Sequence, residues 1–500
     1  MDTSEESSMN ARVEAAAPAP ATPGVVRDLL VLALKMSVAQ VAPLSAAIYL
    51  ATCMGRLGAT QLSAYSLVSS TNLMVFLSVM NALQALYYVG GKAMAEGQRG
   101  EYEHAISAGL TLALRLAVFA CAVSAGVGAA LYFLGFDANV VKFATGIGLV
   151  SSAGIPAALV LVVYRVHAAL NGRAGFITLV TTAGALVVCL LATLILWFAK
   201  GQRQLSVLLA VVGVDVSTTW LMLAVAAVSV RRFPELGFTR SLRSLLKLVH
   251  RPTLRLVVAM GWPVGAVVLL DSLASVVGQY LVGRFWLEAL PVHAVVVLCT
   301  SIGIVIPVGI SLAALQHVAM FDAKRDWASR NRAALASIGV SILYGSLVMA
   351  IFCVMPKSVG AAVLGPAFDA ARQALYGQLM LPGGIVLAFQ SEIIVVAAVY
   401  RGVGDTRTPL LVALVGYVVV AGAAQILLAF AAGYGARGIW WGLAIGFGAI
   451  ACVATLGIYR RLRVETARSH RELATRHAGE SPNTAVLRPA QRAVTESVLR

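Results

Sequence analysis

Charge is scarce in this chain. Only 12% of its 500 residues are Asp, Glu, Lys or Arg, about half of what a soluble protein carries. Set against 59% hydrophobic residues and a mean hydropathy of +0.86, the shortage excludes a single water-soluble globule, because no one core could hide so much apolar surface. Cysteine is sparse too. Cys53, Cys121, Cys189, Cys299, Cys353 and Cys452 all lie in or at the edge of apolar runs, with no C-x-x-C pair, so neither a disulfide framework nor a thiolate metal site is expected. The histidines (His104, His167, His250, His293, His317, His470 and His477) form no H-x-x-x-H or Cys/His set with an acid at ligand spacing. That removes the usual marks of a metalloenzyme, and no cofactor is expected. Residues 1–28 lack a basic stretch and a cleavage site; they are acidic and then Ala/Pro-rich, which reads as a disordered tail and not a signal peptide.

What the chain does have is long apolar runs. Twelve of them, at roughly 30–54, 62–90, 105–134, 140–163, 176–198, 205–230, 256–283, 291–320, 334–355, 374–400, 409–432 and 438–459, are each long enough to cross a bilayer as a helix. The expected fold is an all-α polytopic membrane protein. The net charge of +16 is sorted by side, which argues for a lipid bilayer as partner and against nucleic acid. With both termini cytoplasmic, the inner segments hold 28 Lys and Arg and the outer loops 8, counting Lys142 at the start of its run, while Lys35 and Arg115 fall deeper within runs. This is the positive-inside bias of a protein with an even number of spans, and a bacterial inner membrane is the expected location.

The longest inner link, Arg231 to Arg255, comes after the sixth run. It suggests residues 1–29 as a disordered cytoplasmic tail, 30–230 and 256–462 as two six-helix bundles, 231–255 as a cytoplasmic linker and 463–500 as a second disordered tail. Within the linker SLRSLLKLV is amphipathic and basic, suited to an anionic leaflet or to a plain solvated connector. Short matches relate the halves: MGRLG at 54–58 with VGRFW at 282–286, and YRVHAALNGRAGF from Tyr164 with YRGVGDTRTPL from Tyr400. Halves with an even number of helices form a parallel repeat about an axis along the membrane normal. The glycines of YRGVGDTRTPL look like a phosphate loop, but no strand flanks them. The stretch reads better as a turn between helices, with Gly402 and Gly404 left-handed, Thr408 as cap and Pro409 in the first helical position.

These features resemble the multidrug and toxic compound extrusion (MATE) transporters. The likeness rests on RGVGDTRTP (401–409), GARGIWWGLAIG (435–446) and GRLGATQLSAYSL (55–67), together with the twelve spans and the 6+6 split. It implies two bundles around a V-shaped central cavity, and export of amphipathic, often cationic compounds driven by Na⁺ or H⁺. The family commonly has an aspartate in the first span where this chain has Leu50. One branch carries an Asn and an Asp in the fifth span that have no counterpart in GALVVCLLATLIL. A first-bundle cation site is therefore not expected. The NorM branch has a glutamate eight residues after a Gly-x-Pro, and GWPVGAVVLLD places Asp271 there. Its acid in the tenth span, eleven residues before the turn's arginine, corresponds to Gln390, with Glu392 two residues further on.

Three acids, Asp215, Asp271 and Glu392, sit well inside runs. A charge at mid-membrane is costly, so each needs a partner, water or a proton. With Gln390 they form the candidate set for cation or proton coupling, Na⁺ being the only metal considered; a packing role remains open, most of all for Asp215 beside Ser217, Thr218 and Thr219. The expected activity is secondary antiport by a monomer, not an enzymatic reaction. The alternatives are a lipid-linked saccharide flippase, for which the runs hold few bases, and a membrane receptor that does not transport.

Overall fold

A computed structural model describes residues 24–198, 204–232, 248–354, 358–365 and 368–479. Those residues contain no strand, and their helices track the apolar runs. The first helix, Gly24–Leu57, begins six residues before the predicted run. The second is broken at Gln84 into Ala59–Leu83 and Ala85–Ala95. The third is Arg99–Phe133, and the fourth is bent by 43° between Ala138–Ser152 and Ile155–Leu170. Ala174–Phe198 and Gln204–Arg232 complete the first bundle. The second bundle opens with Arg251–Phe285. Its eighth span is divided into Leu290–Gly303 and Val305–Ala323, and Trp327–Val354 and Ala370–Gly402 come next. The eleventh starts as Arg407–Ala413 and then widens into π-helical turns at Leu414–Ala421 and Leu427–Ala431. The twelfth is Ala436–Gly479. Ten helices, or eleven with the bent pair, are long and apolar enough to cross a membrane; the first helix brings the segments to twelve.

The bundles meet along a seam with two-fold logic. The second span packs on the seventh and the first on the eighth; likewise the third touches the seventh and the first touches the ninth. Each contact therefore recurs with the halves exchanged, as two-fold-related surfaces require. Small residues let the backbones approach: a Cβ added at Gly261 would collide with the Ala82 carbonyl, and one at Gly309 with Ser37 and Ala33. Polar pairs close the seam where the seventh helix ends. Gln279 donates to Ser66 at 2.6 Å, and Thr71 and Tyr280 share a hydrogen bond at 3.0 Å. Outward-facing Val118, Phe119, Leu343 and Leu411 are exposed, as lipid contact demands.

Several expectations need correction. The last helix runs to Gly479, past the predicted end at 462, because YRRLRVETARSHRELATR contains no Gly or Pro and Arg461 pairs with Glu465 one turn on at 2.8 Å. The tails before 24 and after 479, and residues 233–247 with most of the predicted linker, lie outside the described residues. In the YRGVGDTRTPL turn only Gly404 is left-handed (φ 76°). Gly402 is still helical and packs against Val318. The amides of Gly404 and Asp405 return to the carbonyls of Arg401 and Tyr400, the glycine-ended stop of a helix. Asp405, not Thr408, caps the start of the eleventh span: it accepts from the Arg407 and Thr408 amides, each at 3.0 Å, and from the Thr408 hydroxyl. A carboxylate can accept all three, which a hydroxyl cannot. Pro409 is the third helical residue, where its missing N–H is still harmless. The first half ends its fourth span in the same way, with Gly172 left-handed (φ 73°) and the Gly172 and Arg173 amides on Ala169 and Ala168. That shared stop aligns the halves at an offset four residues shorter than the YR match, so Arg165 lies one turn deeper in its helix than Arg401.

Candidate functional site

The seventh helix carries Asp271 two turns beyond Pro263, which is buried inside the helix and not at its start. Asp271 points into the second bundle and is half-buried. Gln390 of the tenth span reaches it, with Nε2 at 3.2 Å from Oδ2 and 3.4 Å from Oδ1. The hydroxyl of Tyr417, from the π-helical part of the eleventh span, is directed at the same carboxylate. Tyr417 is itself fixed by an edge contact with Phe447, 5.0 Å between ring centroids. Three helices thus converge on one acid, and both neighbours offer it hydrogen. A widened turn aims a side chain differently from an α-helical one, and such turns recur at functional sites.

Glu392, two residues from Gln390, is turned away by the helical period. It accepts from Thr455 of the twelfth span at 2.6 Å, so the tenth span gives Asp271 an amide and keeps its own carboxylate elsewhere. Asp215 stands apart in the first bundle. It is exposed. The helix around it is tied to the bend of the fourth span by Trp220, whose Nε1 donates to the Ala153 carbonyl at 2.9 Å. Among the described residues no three His, Cys, Asp or Glu side chains gather as a metal site would require.

No family profile matches the chain, but individual relatives do. A probable multidrug resistance protein NorM of Agrobacterium fabrum is 25% identical over 437 residues, covering 85% of this chain and 92% of the relative. One from Deinococcus radiodurans is 29% identical over 442 residues, covering 86% and 94%. Among solved structures, an inward-facing multidrug resistance MATE transporter superposes with a TM-score of 0.72 at 16% identity, over 87% of this chain and 98% of its own. An outward-facing one gives 0.69 at 17% identity, over 89% and 99%. The chain has the MATE fold and is similar to NorM proteins over most of its length.

A chain of this fold, with these relatives, is an efflux transporter embedded in a lipid bilayer and not an enzyme. Its twelve spans form the two bundles of that fold. In the first bundle Leu50, at the family's acid position, is 4% exposed and packs in the main apolar cluster. Nearby polar contacts are neutral: Tyr49 with Thr193 at 2.6 Å, and Gln61 to Gln204 at 2.7 Å. Sequence reasoning missed Tyr417 and Thr455. Each is one hydroxyl in an apolar run, and only the fold reveals what it faces.

Proposed function

We propose that this MATE chain exports small amphipathic, cationic compounds in exchange for protons, with Asp271 carrying the proton and the Arg-rich face turned to the cytoplasm of a bacterial inner membrane. The observation that supports this reading is the chemistry around Asp271. Gln390 Nε2 and the Tyr417 hydroxyl both present hydrogens to it, whereas Na⁺ needs a shell of oxygen acceptors. Protonation would cost Asp271 an acceptor site and oblige Gln390 or Tyr417 to find another partner. That change couples the occupancy of one carboxyl to three helices. Glu392 is engaged by Thr455 and is assigned no coupling role. Asp215, exposed, offers a cationic substrate a negative charge.

The test uses inside-out vesicles and a fluorescent lipophilic cation. Wild type is expected to accumulate the dye under an imposed proton gradient and not under an imposed Na⁺ gradient, and Asp271→Asn to lose the uptake. Undiminished uptake by the variant, or uptake driven by Na⁺ alone, would sink the proposal.

A further inference from the structure

Two arginines at the Arg-rich end of the seam have no carboxylate. Arg401, at the end of the tenth span, crosses to the other bundle and places Nη1 3.4 Å from Gln84 Oε1, at the break of the second span. Its Nε is buried without a partner. Arg165, one turn deeper in the fourth span, belongs to a helix that runs beside the last segment of the second span, with Leu170 meeting Gly90 and Gly91, which sets Arg165 about level with Tyr87, three residues along from Gln84. The two guanidinium groups, one from each half of the repeat, thus come from helices that flank the same stretch of the second span. Both are half-buried and Tyr87 is exposed, so the place is open to a ligand. Elsewhere the protein does neutralise its bases: Arg330 holds Asp322 and Glu465, Arg461 holds Asp405 and Glu465, and Arg372 holds Glu288 and Asp369. Among the described residues neither Arg165 nor Arg401 makes an ion pair.

We propose that Arg165 and Arg401, with Tyr87 and Gln84, form an oxyanion-binding site at this mouth of the inter-bundle space, taking the carboxylate or phosphate of an amphipathic molecule. Paired guanidinium groups match a planar or tetrahedral oxyanion with forked hydrogen bonds. Tyr87 offers the adjoining apolar part a ring, and the unpartnered Nε supplies a donor that nothing in the protein uses. The proposal rests on the reading of the inter-bundle space as the transport path. It narrows the substrate class to cationic amphiphiles that also carry an anionic group, that is, to zwitterions. The same chemistry would hold a phospholipid headgroup, and the experiment separates the two sources.

The full chain, in neutral detergent, is titrated calorimetrically with phenyl phosphate. Arg165→Gln and Arg401→Gln are each expected to weaken binding by about tenfold or more, as loss of one charged hydrogen-bond donor implies. The double variant should abolish it. Arg401→Lys, which keeps the charge and loses the fork, should fall between, and it guards against a fold defect in the glutamine variants. Equal binding by wild type and the double variant, or no binding by wild type, would overturn the site. The titration is repeated in nanodiscs of neutral lipid with and without phosphatidylglycerol. Displacement of phenyl phosphate that depends on these arginines identifies a lipid headgroup; indifference to the lipid identifies a free anion. No ion gradient is involved, so failure here is distinguishable from failure of the proton-exchange reading.

Discussion

The two bundles share a scaffold and differ in where they keep charge. In the second, carboxylates are held in place: Asp271 under Gln390 and Tyr417, Glu392 under Thr455, and at the Arg-rich end a network in which fully buried Arg330 binds Asp322 and Glu465, each at 2.9 Å. The corresponding end of the first bundle includes a neutral cluster. There Tyr102 meets His167 Nδ1 at 2.7 Å, and Asn171 donates to the Tyr102 hydroxyl at 3.1 Å. At mid-height it offers Leu50 in place of an acid. Duplication thus preserved what packing requires (small residues on the seam and a glycine stop at each fourth-helix end) and left the carboxylates different partners in the two halves.

The comparison can be broken from either side. Asp271→Asn, which strips the second bundle of its central acid, is expected to have the largest effect and bring gradient-driven uptake down to background. Arg330→Ala removes a fully buried guanidinium from two half-exposed carboxylates and from the Trp327 ring, and should lower stability by about 3 kcal/mol; thermal unfolding in detergent reads the loss. Leu50→Asp tries to give the first bundle what it lacks. It places a charge in a packed apolar cluster at a cost of about 3 kcal/mol. Na⁺-driven uptake should remain absent from this variant, since the fifth span supplies no further acid. If Leu50→Asp gained Na⁺ coupling, the asymmetry would be shallow. Asp215→Asn should raise KM for a cationic dye by a few-fold, the worth of about 1 kcal/mol for an accessible ion pair, and leave the response to the proton gradient intact.

The smallest effect concerns Asp326, in the turn before the ninth span, whose carboxyl is held below its ordinary range by the Ser329 side chain and amide. A depressed value in the folded state stabilises it above the unfolded value, and the gain is lost as pH falls through the folded one. The unfolding midpoints of wild type and Asp326→Asn should therefore differ near neutrality and converge below about pH 4. Asp405 obeys the same sign. Burial opposes its charge, but the Thr408 amide and hydroxyl and Arg461 more than offset that and keep its carboxyl low.

The fold was legible because lipid imposes a length on every apolar run, and twelve runs can be counted without knowing what each touches. The breaks at Gln84, at Ala153–Gly154 and after Gly303 were not, since nothing local separates a bent apolar span from a straight one. At the candidate site Asp271 announced itself by cost alone: an acid in hydrocarbon has to be explained. Gln390 was reached by the resemblance, counting back from Arg401, while the helical period left open whether Glu392 reached the same site or faced elsewhere. Tyr417 could not be found this way. Its neighbours in LVGYVVVA are as apolar as any packing stretch, and its direction depends on π-helical turns that no sequence pattern marks. Arg165 and Arg401 were read as ordinary cytoplasmic charges, because their lack of carboxylates is a property of the assembled ends.

The twelfth helix has 44 residues, about 66 Å at the usual rise and roughly twice the thickness of the hydrocarbon. Its Glu465 is fastened to Arg330 and Arg461, so the portion beyond the membrane is an extension of the second bundle's frame. It would act as a pointer, since a rotation of about 5° in that bundle would move the far tip by roughly 6 Å. A label on this stalk would report each half-cycle of transport from outside the bilayer, without touching the path the substrate takes.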